Sequence, residues 1–169
     1  MNTEQKKTTY QVASELLALI LVVIANALLL TPILIQGDYK FLWKNILMIS
    51  LTVWYMRYVL SFHNLEYFKN KWFRLFVFLI NFHFFILTVN TIQDIVPLWE
   101  SQNIFAYMNT LTNELNLSQR NTLLNYIRNE VLITGISSAI VLIFLNIRIL
   151  ISFFASNRLR KKEMLKDIN

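Results

Sequence analysis

The chain has 169 residues, a length typical of one domain; 56% are hydrophobic and 15% charged, a balance unlike that of soluble domains. The absence of cysteine excludes disulfides, thiol catalysis and thiolate metal sites, and two glycines leave little material for a glycine-rich phosphate loop. Whether the formal net charge of +6 indicates membrane topology or a binding partner depends on where the cations lie along the chain.

The hydrophobic residues are concentrated in four long blocks rather than spread along the chain. A helix that crosses a bilayer needs about 20 mostly apolar residues, and each block reaches about that length. The sequence therefore predicts an all-α fold, an integral membrane four-helix bundle in which residues 1–169 form a single transmembrane domain. The predicted spans are residues 12–35, 41–62, 72–96 and 131–155.

The first block lies near the N-terminus, where a signal peptide would also lie. Its apolar run, residues 16–35, is too long for a signal peptide, and no small-residue cleavage site follows it. We therefore expect a retained first span. Residues 36–38 are predicted to turn the chain directly into the second span, so these two helices should be antiparallel neighbours.

Residues 98–130 contain no apolar run long enough to cross a bilayer, but they show helical periodicity. Apolar residues recur at spacings of three and four in the first half: Ile104, Tyr107, Met108, Leu111 and Leu115. Ser118 is a candidate N-cap for a second helix, whose apolar stripe continues into the fourth span: Leu123, Leu124, Ile127 and Val131. The pattern predicts a small extracytoplasmic helical hairpin that either packs on the mouth of the bundle or contacts a partner or another subunit.

Lys and Arg are distributed unevenly between the two sides of the predicted bundle. With both termini in the cytoplasm, twelve of the 16 lie inside, and only four lie outside: Lys40, Lys44, Arg120 and Arg128. The positive-inside rule then predicts a multi-pass membrane protein with both termini in the cytoplasm. The predicted basic cytoplasmic face includes part of the tail at residues 156–169 and comprises Lys69, Lys71, Arg74, Arg158, Arg160, Lys161, Lys162 and Lys166.

This basic face has two candidate binding partners. Anionic lipid head groups attract such a face by about 1 kcal/mol per residue near the surface, so no nucleic acid is needed to explain the net charge. We expect no direct nucleic-acid binding. In addition to the lipid bilayer, we expect a soluble cytoplasmic protein partner at this face.

Three charged residues lie near the cytoplasmic boundary of the predicted spans: Glu15, Arg57 and Arg148. The arginines could reach the head groups individually, because long side chains extend along the helix to the interface. Alternatively, Glu15 pairs with one or both of them, since a charge at depth is much less costly when it is paired. The sequence leaves both arrangements open.

Polar residues inside the predicted spans, or at their outer ends, form a second set: Asn26, Ser50, Asn81, His83, Asn90, Asp94 and Ser138. Interhelical hydrogen bonds between such groups contribute about 0.6 to 2 kcal/mol each, so one interpretation is a structural network. On the third span, His83, Asn90 and Asp94 share one face at offsets of seven and four. A second interpretation is that this face lines a hydrophilic path or a helix contact within an oligomer.

Sequence motifs of catalysis are absent. No H-E-x-x-H, G-x-S-x-G or P-loop pattern occurs, so zinc-peptidase, serine-hydrolase and NTP-driven activities have no support. Two histidines and few clustered carboxylates predict no metal site, and we expect neither a cofactor nor enzymatic activity.

The chain combines four predicted spans with low glycine and abundant Asn, Ile and Lys. In these respects it resembles the small four-span membrane components of bacterial antiphage defence systems, such as the membrane subunit of the two-gene Kiwa system and the membrane accessory protein of type VI-B CRISPR loci. The resemblance covers topology and size across the whole chain. It implies a sensor or anchor that works with a nuclease or a nucleic-acid-binding partner.

The leading hypothesis is a non-enzymatic inner-membrane subunit that forms a homo-oligomer and serves as the membrane sensor of an antiviral defence system. It would anchor or regulate a soluble cytoplasmic partner through the basic inner face. One alternative is an oligomeric channel or membrane-permeabilising effector, with subunits assembled around the polar face of the third span. The other is an immunity or scaffold protein of the membrane that transports nothing.

Overall fold

The computed structural model describes residues 3–62, 66–100, 103–112 and 114–166. This part of the chain contains four α-helices: α1 (Thr3–Leu34), α2 (Leu42–Ser61), α3 (Lys71–Ile95) and α4 (Leu117–Lys166). Two short strands pair with each other: β1 (Gly37–Tyr39) and β2 (Met108–Leu111). Short 3₁₀ segments connect these elements: Glu66–Lys69, Val96–Glu100 and Ile104–Ala106.

Within the described ranges, three helical stretches are long and apolar enough to cross a membrane: Gln11–Leu34, Lys71–Leu98 and Leu117–Phe154. The prediction of a helical membrane protein is confirmed at this level. α2 is not among the three, because Lys44, Asn45 and Arg57 lower the mean hydropathy of its 20 residues. Its bounds nevertheless lie within one residue of the second predicted span.

The helices are arranged with α2 and α4 in the centre. α2 packs against both α1 and α4, and α3 packs against α4. α2 and α4 run parallel, because their contacts advance along both helices together, from Asn45 with Glu130 to Val59 with Arg148. The contacts of α1 with α2, and of α3 with α4, advance in opposite directions, so these pairs are antiparallel.

The β1–β2 ribbon ties the α1–α2 connection to the segment that precedes α4. The register is Gly37 with Leu111, Asp38 with Thr110 and Tyr39 with Met108, and a bulge follows Asp38. A Cβ on Gly37 would collide with the carbonyl oxygen of Thr110, so this close approach requires glycine. The all-α prediction missed the ribbon, since strands of three and four residues pair here across a long sequence separation.

The predicted helical hairpin between the third and fourth spans is wrong in its first half. Residues 96–100 and 104–106 form 3₁₀ turns, and the chain then enters β2 instead of an amphipathic α-helix. Ile104, Tyr107 and Met108 are buried, as an apolar stripe would require, but a turn followed by a strand buries them. Apolar spacings of three and four are compatible both with a helix and with a turn followed by a strand. Pairing with β1 favours the strand.

The second half of the predicted hairpin is the start of α4, which begins at Leu117 rather than after Ser118. Asn116 accepts a hydrogen bond from the Gln119 N–H at 2.9 Å, and the Gln119 side chain accepts one from the Asn116 N–H at 3.0 Å. These two bonds form a capping box, which satisfies two backbone N–H groups at the helix start. The predicted stripe of Leu123, Leu124 and Ile127 is buried.

α4 continues without a break from Leu117 to Lys166. A helix of 50 residues is about 75 Å long, well over twice the thickness of a bilayer hydrocarbon core. α4 therefore extends beyond any bilayer that it crosses.

Two apolar clusters stabilise the bundle at its two ends. The larger one lies at the end with the β-ribbon and joins all four helices through buried residues such as Ile33, Ile49, Ile95 and Ile127. The smaller one lies at the other end and consists of Phe62, Phe68, Val77, Leu145 and Ile149, with partly buried aromatic rings packed against it.

Candidate functional site

A buried carboxylate lies between α2 and α4 at the end of the bundle that carries the β-ribbon. Glu130 is 5% exposed, and one of its carboxylate oxygens, Oε2, accepts a hydrogen bond from the Asn45 side-chain amide. The other oxygen, Oε1, is buried and has no hydrogen-bond partner among the described residues. Leaving such an oxygen unsatisfied costs about 1 to 3 kcal/mol, or more for a charged group, which makes it the most unusual feature of this end.

Asn45, Tyr39 and Thr134 form a hydrogen-bonded cluster with Glu130. Asn45, fully buried on α2, also donates to the Tyr39 hydroxyl at 3.3 Å. The Thr134 hydroxyl, one turn along α4, donates to the Glu130 backbone carbonyl at 2.8 Å and reaches the Asn45 side-chain oxygen at 3.5 Å. Burial raises the pKa of the Tyr39 phenol far above its ordinary value, and the Glu130 carboxylate raises that pKa further. Tyr39 is therefore a neutral phenol at physiological pH.

This cluster was not predicted from the sequence, because Glu130 was assigned to the end of an extracytoplasmic segment. A signal was available, since Glu130 and Thr134 follow Ile127 at spacings of three and four and so continue the predicted apolar stripe. A carboxylate on the buried stripe of a helix requires a polar partner on another element.

A groove between α1 and α4 lies beside Glu130. α1 and α4 make few contacts with each other, and one of them is a 2.9 Å hydrogen bond from the Tyr126 hydroxyl to the Leu29 carbonyl. A cavity of about 210 Å³ is lined by Leu29, Tyr126, Asn129, Glu130, Ile133 and Thr134. A second cavity of about 350 Å³ shares Tyr126 and continues toward Pro32, Ser118 and Thr122.

The polar residues predicted inside the spans are distributed over several sites. The structure places four of them in three separate interhelical contacts: Asn26 with Ser50 at 3.2 Å, Asn81 with Asn146 at 2.9 Å, and Ser138 with Thr88 at 3.5 Å. Asn146 and Thr88 were not singled out from the sequence. These contacts join neighbouring helices and do not form one continuous network.

The other three predicted residues, on α3, lie on the surface of the bundle. His83 and Asn90 are exposed, and His83 lies beside the Phe84 ring at 6.4 Å between centroids. Asp94 forms a 2.5 Å ion pair with Lys44, in which both side chains are about half exposed. The face that these three residues share therefore points away from the interior of a single subunit.

At the opposite end of the bundle, two arginines of the predicted inner boundary bind different partners. Arg57 forms an ion pair with Glu15 and donates to the Ser14 hydroxyl at 3.0 Å, which joins α2 to α1. Arg148 donates to the Val59 carbonyl and joins α4 to α2. Of the two arrangements that the sequence left open, the structure shows the paired one, with Glu15 on Arg57.

Arg74 does not belong to an exposed basic face, contrary to the prediction. It is 6% exposed, donates to the Ser152 hydroxyl and lies over the Phe153 ring at 5.0 Å. Lys69 is exposed and Lys71 is half-buried. The other predicted cations lie on the last part of α4, where the structure describes only the helical backbone: Arg158, Arg160, Lys161, Lys162 and Lys166.

Among the residues searched, no group of three or more His, Asp or Glu side chains is placed to hold a metal ion. No protein-family model matches the chain, and neither a curated protein nor a solved structure matches it. Three features of the molecule bear on its function: the basic sequence at the end of α4, the polar face on α3, and the buried carboxylate beside a groove.

Proposed function

We propose that the chain is a non-enzymatic, multi-pass subunit of the bacterial inner membrane that anchors or regulates a soluble cytoplasmic partner. The observation that carries this proposal is the continuity of α4. The helix extends about 18 Å past Phe154, the end of its apolar stretch, and ends at Lys166. This extension presents four cations within five residues, Arg158 to Lys162, on a regular scaffold beyond the membrane surface.

Four spans with both termini in the cytoplasm are part of the proposal, and the β1–β2 ribbon supports them. It brings the α1–α2 connection and the segment before α4 to one end of the bundle. The antiparallel packing of α1 on α2 and of α3 on α4 then directs both chain termini to the other end. Because the predicted cytoplasmic cations cluster at that end, the positive-inside rule favours the proposed orientation.

The polar composition of α2 is compatible with its being the second of the four proposed spans. Its 20 residues are about 30 Å long, which matches a bilayer hydrocarbon core. Lys44 and Arg57, near its two ends, are paired with Asp94 and Glu15. The neighbouring α1 and α4 cover its flanks, so its charges do not face lipid unpaired.

The partner proposal is tested by purifying the tagged chain in mild detergent at low salt and identifying the proteins that accompany it. The test variant reverses the charge of Arg158, Arg160, Lys161 and Lys162 by changing each to Glu. We expect it to lose the soluble partner while the bundle stays folded, because the interaction is electrostatic. The resemblance to antiphage systems predicts that the captured protein is a nuclease or binds nucleic acid.

The matched control keeps the charge and changes the side chains: Arg158→Lys, Arg160→Lys, Lys161→Arg and Lys162→Arg. This variant should retain the partner. If no soluble protein accompanies the native chain under these conditions, or if the charge-reversed chain still retains it, the proposal is wrong.

A second candidate function is an oligomeric channel or membrane-permeabilising effector. The specific observation in its favour is that His83 and Asn90 are exposed on α3, a helix apolar enough to cross a membrane. Polar side chains are costly against lipid, whereas in a homo-oligomer they would face another subunit or a wet path. Reconstituted liposomes should then show a conductance that changes with His83→Ala or Asp94→Asn, and silent bilayers would argue for the anchoring subunit.

A further inference from the structure

The outer surface of the bundle is uniformly apolar on α1 and α4, but not on α3. Every exposed residue of α1 in residues 16–28 is apolar, and so is every exposed residue of α4 in residues 133–154. On α3, by contrast, the exposed residues include His83 and Asn90. A polar side chain that faces hydrocarbon costs free energy, so this part of α3 requires a cover that lipid tails cannot supply.

These two polar residues lie within the span rather than at its ends. His83 is the central residue of α3 (Lys71–Ile95), and Asn90 lies seven residues, or about 10 Å, further along the helix. His83 lies beside the Phe84 ring, and neither His83 nor Asn90 forms a side-chain hydrogen bond with a described residue. Both therefore present unused donors and acceptors to the outside of the subunit.

His83 and Asn90 belong to a continuous exposed stripe of α3. Its residues recur at alternating spacings of three and four: Phe76, Leu79, His83, Ile86, Asn90 and Gln93. This is the spacing at which two helices pack along each other with a crossing angle of about 20°. The opposite side of α3 packs on α4 through Asn81 and Thr88, so the stripe is a second packing face without a partner in the subunit.

The chemistry of the stripe selects a second copy of the same chain as its cover. Two copies insert into a membrane with the same orientation, so a symmetric dimer places each residue of the stripe next to its own counterpart. A side chain can pair with its own copy only if it both donates and accepts hydrogen bonds. The amides of Asn90 and Gln93 and the neutral imidazole of His83 do both.

The nearest carboxylate does not oppose this self-association. Asp94 lies four residues after Asn90, and two uncompensated copies of it would repel each other across the contact. Lys44 of α2 pairs with Asp94 at 2.5 Å and compensates its charge within each subunit. The end of the stripe near Asp94 can therefore approach its own copy without a net charge.

From these observations we infer that α3 forms a parallel, symmetric homodimer contact along this stripe, in which His83 and Asn90 hydrogen-bond to their counterparts. Leu79 and Ile86 pack between the polar pairs, so the contact is dry and is not the wall of a pore. The inference rests on the proposed function only in requiring that α3 spans a membrane. The dimer brings two α4 C-terminal segments to the same side of the membrane, which makes the proposed partner site bivalent.

The first experiment uses the absence of cysteine from the chain. Three isoleucines of similar exposure are changed to cysteine one at a time in the full chain, in native membranes: Ile86 on the stripe, Ile24 on α1 and Ile143 on α4. Mild oxidation should join two chains through Ile86→Cys, because a disulfide needs Cα atoms within about 7 Å of each other. The matched controls, Ile24→Cys and Ile143→Cys, should remain monomeric on a non-reducing gel.

The second experiment measures the contribution of the polar pairs. Energy transfer between labelled chains in liposomes, followed as lipid is added, gives the dissociation constant of the dimer. Asn90→Leu and His83→Leu should each raise this constant about 3- to 30-fold, as expected for the loss of an interhelical hydrogen bond. Asn90→Gln keeps a donor and an acceptor and should raise it less than Asn90→Leu does.

Four results would overturn the inference. Two concern the cross-link: its absence in Ile86→Cys, or equal cross-linking at all three isoleucine positions, which would indicate random collision. The third is a dissociation constant that neither Asn90→Leu nor His83→Leu changes. The fourth is labelling of Ile86→Cys by a membrane-impermeant maleimide, which would show that the stripe is wet and would assign it to a channel.

The dimer and the soluble partner are tested independently. Charge reversal at residues 158–162 should release the soluble partner and leave the Ile86→Cys cross-link intact. Failure of the cross-link in a chain that still retains its partner would remove the dimer and leave the proposed function standing.

Discussion

At the scale of single residues, the same side-chain type has opposite roles in different positions. Asn45 is fully buried and donates to both Glu130 and Tyr39. Asn90, on α3, is exposed on the surface of the bundle. Both asparagines lie within predicted spans, so their surroundings rather than their chemistry decide what each contributes to stability.

We predict that Asn45→Leu lowers the free energy of unfolding by about 1 to 3 kcal/mol, because it removes the side-chain amide that donates to the buried Glu130 carboxylate. Asn90→Leu makes the same chemical change on an exposed face and should cost nothing. Unfolding of the purified protein in detergent, followed by circular dichroism, compares the two. Equal stability of the two variants would contradict the role given to Asn45.

At the scale of single elements, α4 determines much of the architecture. It packs against α2 and α3, and its C-terminal end carries the cations of the proposed partner site. The first turn of α4 lies at the β-ribbon end of the bundle. There, the side chains of Asn116 and Gln119 each accept a hydrogen bond from the other residue's backbone N–H. The sequence pointed to Ser118 as the cap, two residues too late.

We predict that Asn116→Ala lowers stability by about 0.5 to 2 kcal/mol and increases amide hydrogen exchange in the first turn of α4, because an N-cap acceptor is lost. The matched control is Asn121→Ala, at an exposed position inside the same helix, where alanine raises helix propensity. Exchange in the first turn that is the same in both variants would show that Asn116 is not the cap.

At the scale of the whole molecule, the two-stranded ribbon closes the bundle at one end. It joins segments that are far apart in sequence, and the Asn109 side chain donates to the Asp38 carboxylate at 2.8 Å across it. The connections at this end are thereby held together, and the larger apolar cluster lies beneath them.

We predict that Asp38→Cys together with Thr110→Cys forms a disulfide under mild oxidation, since these residues are directly opposite in the antiparallel register. The chain contains no cysteine, so the product is unambiguous and is detected as a shift in gel mobility that reductant reverses. The pair Asp38→Cys with Ser61→Cys should not cross-link within one chain, because α2 separates these positions. Failure of the first pair would refute the ribbon.

Much of the helical scaffold could be predicted because helix formation and hydropathy are local properties. The bounds of α2 and α3 lie within one residue of the predicted spans, and the continuity of α4 followed from its apolar stripe. The segment around Ile104 and Met108 was misassigned, since short apolar spacing does not distinguish a helix from a turn followed by a strand. Glu130 was missed because its partner, Asn45, is 85 residues away in the chain.

The amino-acid sequence by itself determined that this is a helical membrane protein, because long apolar blocks with few glycines leave the chain no other way to satisfy its backbone. Only the tertiary structure decided which polar groups are paired: Glu130 with Asn45, Glu15 with Arg57, and Asn81 with Asn146. It also turned His83 and Asn90 outward. The physical reason is that such pairings depend on the register and rotation of one helix against another, which no local pattern specifies.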